Sequence, residues 1–265
     1  MNARRVLYEA NGYLLVENLV SAEQLAELKR DTADIFRGKY ATEGIVPVAD
    51  NATDEEAMQN YLAIHQPHKI SAIQKRYMFH PPVLNVLTEI IGPNVKCMQS
   101  MLFVKPPGFP GQAWHQDERY IPTEDRSLTG AWIAIDDATE ENGCLWVIPG
   151  SHTGEILPTG PQPSGDEYDG IGEMCIGVDE SLAVPAEAPA GSVLFFNGFL
   201  LHASKKNRSD RFRRALVCHY MNADYPLRWC GQDDYRDIEM VAGVDKFAER
   251  GKEDIATPWL RPRQK

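Results

Sequence analysis

The sequence predicts a mainly β fold with flanking helices, of the β-sandwich or jelly-roll kind, and three observations support this. Beyond about residue 92 the chain carries short runs rich in Val, Ile, Phe and Trp, which Gly, Pro and Asn separate. No helical stretches intervene, which argues against a parallel α/β sheet. The 265 residues, 43% of them hydrophobic, suffice for one large core. We expect a single domain over 1–265, with a helical part at about 1–92, a jelly-roll core at about 93–225 and a C-terminal extension at 226–265.

The helical part contains one short strand and two helices with recognisable ends. Residues 13–19 (YLLVENL) read as the strand, and Ser21 begins a capping box for a helix that runs to about Arg37. A proline pair at 81–82 opens the second helix, which has apolar residues along one face and ends at Gly92.

The core is predicted from five runs with strand character. Each run is short, apolar and bounded by turn residues, which is the pattern of strands in a sandwich or jelly roll. The runs lie at 95–104, 128–135, 144–148, 192–196 and 214–221. The stretch 159–172 is rich in Gly, Pro and acidic residues and predicts a long surface loop. Long loops in compact domains are often lids.

Charge and cysteine content exclude several classes of protein. The net charge of −11 and the pI near 5.1 argue against binding to nucleic acid or anionic membranes, which requires clustered Lys and Arg. Five widely spread cysteines without a C-x-x-C pair indicate a reducing compartment. No run of roughly 18 apolar residues exists to span a membrane, and the N-terminus lacks the apolar core of a signal peptide. We therefore expect a soluble, cytoplasmic protein, and its oligomeric state stays open.

The stretch Trp114-His115-Gln116-Asp117 is a candidate metal site. In a strand, His115 and Asp117 would share one face and supply two ligands to a first-row metal ion. His202 is the candidate third ligand, because a jelly roll brings distant strands together at one end. Two His and one carboxylate leave three coordination positions open, whereas a structural zinc site is closed by four protein ligands. On these residues alone, two unrelated histidines remain an alternative.

A basic group near the last strand predicts an anion site beside the metal. Arg211, Arg213 and Arg214 enter that strand, and Arg213 shares strand parity with Arg211. An Arg aimed into an apolar barrel is costly unless a carboxylate meets it, and its planar fork fits a dicarboxylate tail. Ser204 adds a hydroxyl donor. A metal with open positions and an inward Arg some distance away is what a bound 2-oxoglutarate requires.

Six segments of the chain resemble one known family. They are NGYLLVENLVS, SMLFVKPP, WHQDERYIP, GAWIAIDDATEENGCLWVIPGSH, AGSVLFFNGFLLHASKKNRS and FRRALVCHYM. In content and order, over roughly residues 11–221, the chain resembles the phytanoyl-CoA dioxygenase (PhyH-like) family of Fe(II)/2-oxoglutarate-dependent oxygenases. The resemblance implies a double-stranded β-helix core, which is the jelly roll of the cupins.

The resemblance also implies roles for individual residues. His115, Asp117 and His202 match the metal ligands. Arg213 matches the Arg that pairs with the distal carboxylate of 2-oxoglutarate, and Ser204 matches a hydroxyl partner of that carboxylate.

Further positions are expected to line the cosubstrate pocket. Trp132, Met101 and Lys69 fall where the family lines it, and Lys69 is aligned across a difference in length. Gln99 shares a strand face with Met101 and is a plausible donor to the pocket. His219 shares parity with Arg213, but we interpret it as a structural residue.

The function that the resemblance implies is hydroxylation of an unactivated C–H bond of a small-molecule metabolite. The reaction would consume O2 and decarboxylate 2-oxoglutarate to succinate and CO2. Asp117 favours hydroxylation over halogenation, because related halogenases lack this carboxylate. Desaturation, epoxidation or ring formation by the same triad, another metal enzyme of cupin type, and a non-catalytic binding module remain alternatives. The sequence leaves open whether the substrate is an acyl-CoA or a free metabolite.

Overall fold

Two β-sheets face each other across the interior of the protein, and helices cover the outer face of the larger sheet. The structure is a computed structural model that describes residues 2–162, 166–170, 172–227, 238–247 and 257–262. Its helices are α1 (Ala3–Asn11), α2 (Ala22–Phe36), α3 (Asp54–Met58), α4 (Ala72–Met78) and α5 (Pro81–Ile90). Its strands are β1 (Tyr13–Val16), β2 (Tyr61–His65), β3 (Val95–Phe103), β4 (Thr129–Ala134), β5 (Leu145–Val147), β6 (Thr159–Pro161), β7 (Glu173–Cys175), β8 (Val184–Ala186), β9 (Val193–Asn197), β10 (His202–Ser204), β11 (Ala215–Asn222), β12 (Glu239–Ala242) and β13 (Trp259–Pro262).

Helix α2 begins where its local signals predict. The hydroxyl of Ser21 accepts a hydrogen bond from the N–H of Gln24 at 3.3 Å, and the Gln24 side chain accepts one from the N–H of Ser21 at 2.9 Å. This reciprocal pair satisfies two N–H groups that a helix start leaves without partners. The predicted capping box is therefore confirmed, and the apolar face that follows it packs on the larger sheet.

The larger sheet holds most of the predicted core strands. Over the described residues its order is β1-β9-β4-β11-β3-β2-β13, with β12 pairing to β3, and all of these pairs are antiparallel. Alternate side chains point to opposite faces of a strand. In β11, Leu216 therefore packs among the helices, while Val217 and His219 face the interior between the sheets.

The smaller sheet closes the other side of that interior. It consists of β10, β5 and β8, and the hairpin β6–β7 lies apart from it. An isolated antiparallel bridge joins His115 to His202, so the segment before Asp117 runs beside β10. The predicted fold class, a mainly β jelly roll with flanking helices, is confirmed.

Three strands of the larger sheet, as described, come from parts of the chain where none was predicted. Strand β2 lies in the helical part and pairs with β3. Strands β12 and β13 lie in the C-terminal extension and pair with β3 and β2, respectively. The β2 residues are buried on both faces, so the run YLAIH shows no alternation of polar and apolar residues. A short apolar run of this kind does not distinguish a strand from a helix, since only its neighbours in space decide.

The loop predicted at 159–172 is partly ordered by β6 and by ion pairs. Asp169 pairs with Arg261 of β13, and Glu167 pairs with Arg208. Residues 163–165 and 171 of this stretch lie outside the described residues.

The cysteines behave as small buried hydrophobes. Cys97, Cys144, Cys175 and Cys218 are buried free thiols, and Cys230 lies outside the described residues. In the described part of the chain, no helix combines the length and the apolar character that crossing a membrane requires.

Candidate active site

The structure brings the three predicted metal ligands together at one end of the jelly roll. Asp117 Oδ1 lies 3.7 Å from His115 Nε2 and 3.8 Å from His202 Nε2. One ligand atom from each residue fits within 4.8 Å of the other two. The structural reason differs from the one expected, because Asp117 begins a short 3-10 helix (Asp117–Arg119) rather than continuing a strand.

Backbone carbonyls orient both imidazole rings. His115 Nδ1 lies 2.8 Å from the carbonyl oxygen of Ala113, and His202 Nδ1 lies 3.0 Å from that of Leu200. A carbonyl only accepts, so each Nδ1 carries a proton, and the neutral form of each ring has its lone pair on Nε2. Both lone pairs are directed towards the space beside Asp117, which is the orientation that a shared ion requires.

The charge states of His115 and Asp117 also suit a metal ion. Burial, and then the neighbouring His202, lowers the pKa of His115 to about 3, so its imidazole is neutral at neutral pH. Burial alone would raise the pKa of Asp117, but interactions with His219 and His202 outweigh it and hold that pKa below its usual range. Two imidazoles and one carboxylate are a donor set that a first-row divalent ion such as Fe(II) accepts.

A fourth residue, His219, lies behind the carboxylate. Its Nε2 is 2.9 Å from Asp117 Oδ2, and its Nδ1 is 3.1 Å from the side-chain nitrogen of Gln99. Gln99 and His219 are directly opposed in the pairing of β3 with β11. The amide of Gln99 donates to Nδ1, so the proton of His219 lies on Nε2 and is donated to Asp117. Sequence reasoning interpreted His219 as structural, and its parity with Arg213 was the signal that pointed to the site.

Arg213 and Ser204 line the same interior cavity as the triad, together with Met101 and Trp132. Arg213 is 3% exposed, and its guanidinium carbon lies 5.3 Å from the centre of the Trp132 ring. Burial lowers the pKa of Arg213 to about 10, and the group stays charged at neutral pH. Its Nε has no hydrogen-bond partner among the described residues, which leaves the guanidinium ready for an anion.

Ser204 is held by two donors. Its hydroxyl oxygen lies 3.1 Å from the N–H of Gln112 and 3.2 Å from Lys105 Nζ. Lys105 also lines the cavity, is 1% exposed, and donates to the carbonyl of Lys205. Sequence reasoning did not single out Lys105, because nothing in the run VKPP distinguishes an inward lysine from an exposed one.

Two other predicted pocket residues lie elsewhere. Lys69 is half-buried at the end of the 3-10 helix Pro67–Lys69, and it is not among the described residues that line the cavity. Gln99 does not line the cavity either, and it reaches the site through His219.

Two glycines make room for the walls of the cavity. A Cβ on Gly130 would lie 2.4 Å from Phe196 Cζ, and the Phe196 ring packs against His202 with 4.7 Å between ring centres. A Cβ on Gly111 would lie 1.7 Å from the carbonyl oxygen of Ser204. Only glycine allows these close approaches, so both positions help to fix the position of β10, the strand that carries His202.

Comparisons with known proteins agree with this geometry. A family model described as Phytanoyl-CoA dioxygenase (PhyH) matches residues 8–215. The peroxisomal phytanoyl-CoA dioxygenase of Mus musculus is 31% identical over 276 residues, covering 97% of this chain and 80% of that protein. The probable phytanoyl-CoA dioxygenase of Caenorhabditis elegans is 32% identical over 241 residues, covering 83% of this chain and 75% of that protein.

Solved structures with the same fold are more distant in sequence. The non-heme monooxygenase ThoJ superposes with a TM-score of 0.70 at 20% identity, covering 91% of this chain and 84% of that one. EvdO2 from Micromonospora carbonacea var. aurantiaca, complexed with 2-oxoglutarate, has a TM-score of 0.62 at 24% identity and covers 84% and 91%. The epimerase SnoN, in complex with Fe3+ and alpha ketoglutarate, has a TM-score of 0.66 at 19% identity and covers 84% of each chain. These likenesses confirm the fold.

Proposed function

The chain belongs to the phytanoyl-CoA dioxygenase family, and from this premise we propose that it hydroxylates an unactivated C–H bond of a small-molecule metabolite. Membership makes it a 2-oxoglutarate-dependent oxidoreductase with iron as its metal. The observation that carries the proposal is the convergence of His115, Asp117 and His202 in one cavity with the guanidinium of Arg213, which has no carboxylate partner among the described residues.

Each group has a defined task in this reaction. The three ligands would hold Fe(II), which supplies the activation of O2 when it is bound. Arg213 and Ser204 would bind the distal carboxylate of 2-oxoglutarate, and so fix the direction in which the keto acid enters the cavity. The apolar walls, among them Trp132 and Phe196, exclude water from the reacting centre.

The overall reaction balances in atoms and electrons. The substrate R–H, one O2 and one 2-oxoglutarate give R–OH, succinate and CO2. One oxygen atom of O2 enters the new hydroxyl group, and the other enters the new carboxylate of succinate. Full reduction of O2 takes four electrons, of which the substrate supplies two and the keto acid supplies the other two.

The experiment measures succinate formation by the purified protein with Fe(II), 2-oxoglutarate and pools of candidate metabolites, and it follows product mass. A true substrate raises succinate above the uncoupled background and gains the mass of one oxygen atom. Asp117→Ala should abolish the reaction, while Asp210→Ala, which removes an exposed carboxylate, should not change it. Full turnover by Asp117→Ala would contradict the ligand assignment.

Product mass also separates hydroxylation from desaturation, ring formation and epimerisation by the same triad, and an NMR spectrum of the product separates it from epoxidation, which likewise adds one oxygen atom. The similar fold of an enzyme named as an epimerase supports testing these alternatives. Desaturation or ring formation lowers the substrate mass by two hydrogens, and epimerisation leaves it unchanged. Acyl-CoA thioesters and the corresponding free acids form two arms of the screen, because the curated relatives are named for phytanoyl-CoA.

We also propose a cytoplasmic location, supported by the buried free thiols, which are typical of a reducing compartment. Fluorescence microscopy of the tagged protein tests this. A peroxisomal pattern, as in the names of several relatives, would contradict it.

A further inference from the structure

Lys105 and Arg213 are two buried cations at one end of the cavity. Lys105 is 1% exposed and Arg213 is 3% exposed, and both line the same space. Lys105 Nζ contacts the Ser204 hydroxyl and the Lys205 carbonyl, both of which are neutral. Within the described part of the chain, neither cation forms an ion pair with a carboxylate.

This arrangement is unfavourable while the site lacks an anion. Burial, and then the charge of Arg213, lowers the pKa of Lys105 well below its ordinary value. Cys144 offers no compensating charge, because burial raises the pKa of its thiol to about 12. The carboxylates of Glu167 and Asp169 act on Lys105 only from beyond ion-pair distance, and each pairs with an arginine instead. Buried charges are normally paired, so two unpaired cations in one place indicate a binding site for an anion.

The protein leaves the Lys105 ammonium open mainly towards the cavity. A Cβ on Gly143 would lie 2.7 Å from Lys105 Nζ, so the backbone there already packs closely against the ammonium. Ser204 and Lys205 cover it from β10 and the residue that follows. The remaining direction is the cavity that Arg213 also faces.

We propose that Lys105 is a second cation for the distal carboxylate of the cosubstrate, and that this end of the cavity therefore selects 2-keto acids that carry a second carboxylate. The inference rests on the proposed function. It goes beyond the proposed function in two ways. The distal carboxylate is bound by two cations, and Lys105 determines cosubstrate specificity rather than only supporting Ser204.

The test compares the binding of two keto acids to the Mn(II)-loaded protein. One is 2-oxoglutarate, and the other is 2-oxopentanoate, which has the same carbon chain without the second carboxylate. The variant is Lys105→Met, which keeps the length of the side chain and removes its charge. The matched control is Lys75→Met, which removes a surface lysine that pairs with Glu239.

We expect Lys105→Met to weaken 2-oxoglutarate binding roughly 10- to 100-fold, the usual range for losing a hydrogen bond between charged groups. Binding of 2-oxopentanoate should not change, and the control should bind both acids like the wild type. An unchanged affinity for 2-oxoglutarate, or an equal loss for both acids, would overturn the proposal. If Lys105→Met does not fold, the uncharged Lys105→Gln replaces it under the same criterion.

Ser204→Ala separates a direct contact from an indirect one. If Lys105 touches the carboxylate, Lys105→Met still weakens 2-oxoglutarate binding in the Ser204→Ala background. If that effect vanishes, Lys105 acts only by orienting Ser204, and the two-cation site is refuted. Failure of the proposed function looks different, since the wild-type protein would then bind 2-oxoglutarate no better than 2-oxopentanoate.

Discussion

The hydrogen bond between His219 and Asp117 is expected to control how tightly the site holds its metal ion. Asp117 Oδ1 faces the two ligand imidazoles, while His219 holds Oδ2 at 2.9 Å. Replacing His219 with Phe keeps a ring of similar size and removes the donor. The carboxylate is then free to rotate, and one of its oxygens loses its partner.

The size of the effect follows from the kind of bond removed. A hydrogen bond to a charged group contributes roughly 1.5–3 kcal/mol, which converts to a 10- to 100-fold change in affinity at about 1.4 kcal/mol per tenfold. Loss of such outer partners of metal ligands typically costs roughly 10- to 100-fold in metal affinity, which is the same range. Gln99→Leu removes only the neutral bond behind His219 and should cost less, roughly tenfold at most.

The assay is competition between the protein and a chelator for Fe(II) under anaerobic conditions, without cosubstrate. His152→Phe is the matched control, because it makes the same replacement at a histidine that contacts the carbonyl of Glu9 away from the site. Thermal unfolding of the metal-free proteins verifies that each variant is folded. A folded His219→Phe variant with wild-type affinity for Fe(II) would refute the reasoning.

Three more predictions test the anion site, the pH response and the packing of the cavity. Arg213→Ala should weaken 2-oxoglutarate roughly 30-fold or more with little change in metal affinity, and unchanged cosubstrate binding in a titration would count against it. Burial lowers the pKa of His65 to about 3. As the pH falls below the ordinary value of 6.5, this histidine is protonated in the unfolded chain but not in the folded protein, so the free energy of unfolding decreases. Between pH 8 and pH 5 the free energy of unfolding of the wild type, measured by urea titration, should fall by ~2 kcal/mol more than that of His65→Phe. An equal decrease in both proteins would contradict this. Gly130→Ala should destabilise the protein by roughly 1–3 kcal/mol because the new methyl meets Phe196, and an unchanged melting temperature would contradict that.

Elements with local signals were predictable, and those that depend on distant neighbours were not. The capping box at Ser21 lies within one turn, so a few residues specify the start of α2. The core strands at 95–104 and 214–221 carry their own β-type composition and appear as β3 and β11. Strand β2 has no such signature, since its residues are buried on both faces and its partners β3 and β13 come from distant parts of the chain.

The candidate site divides in the same way. The motif around His115 and Asp117, the position of His202 and the basic run with Arg213 are visible in the sequence because they recur in a known pattern. Lys105 was invisible, because the inward direction of its side chain depends on the end of β3 and on the turn at Gly143.

By itself, the sequence determined the class of fold, the elements with local signals and the residue types from which the site is built. Only the tertiary structure decided that His219 supports Asp117, 102 positions away along the chain. The physical reason is register: a shift of one residue between paired strands turns every side chain to the opposite face. The contact of Gln99 with His219 exists only in one register of β3 and β11, which the packing of the whole sheet selects. The contact of Lys105 with Ser204 depends on how the two sheets face each other.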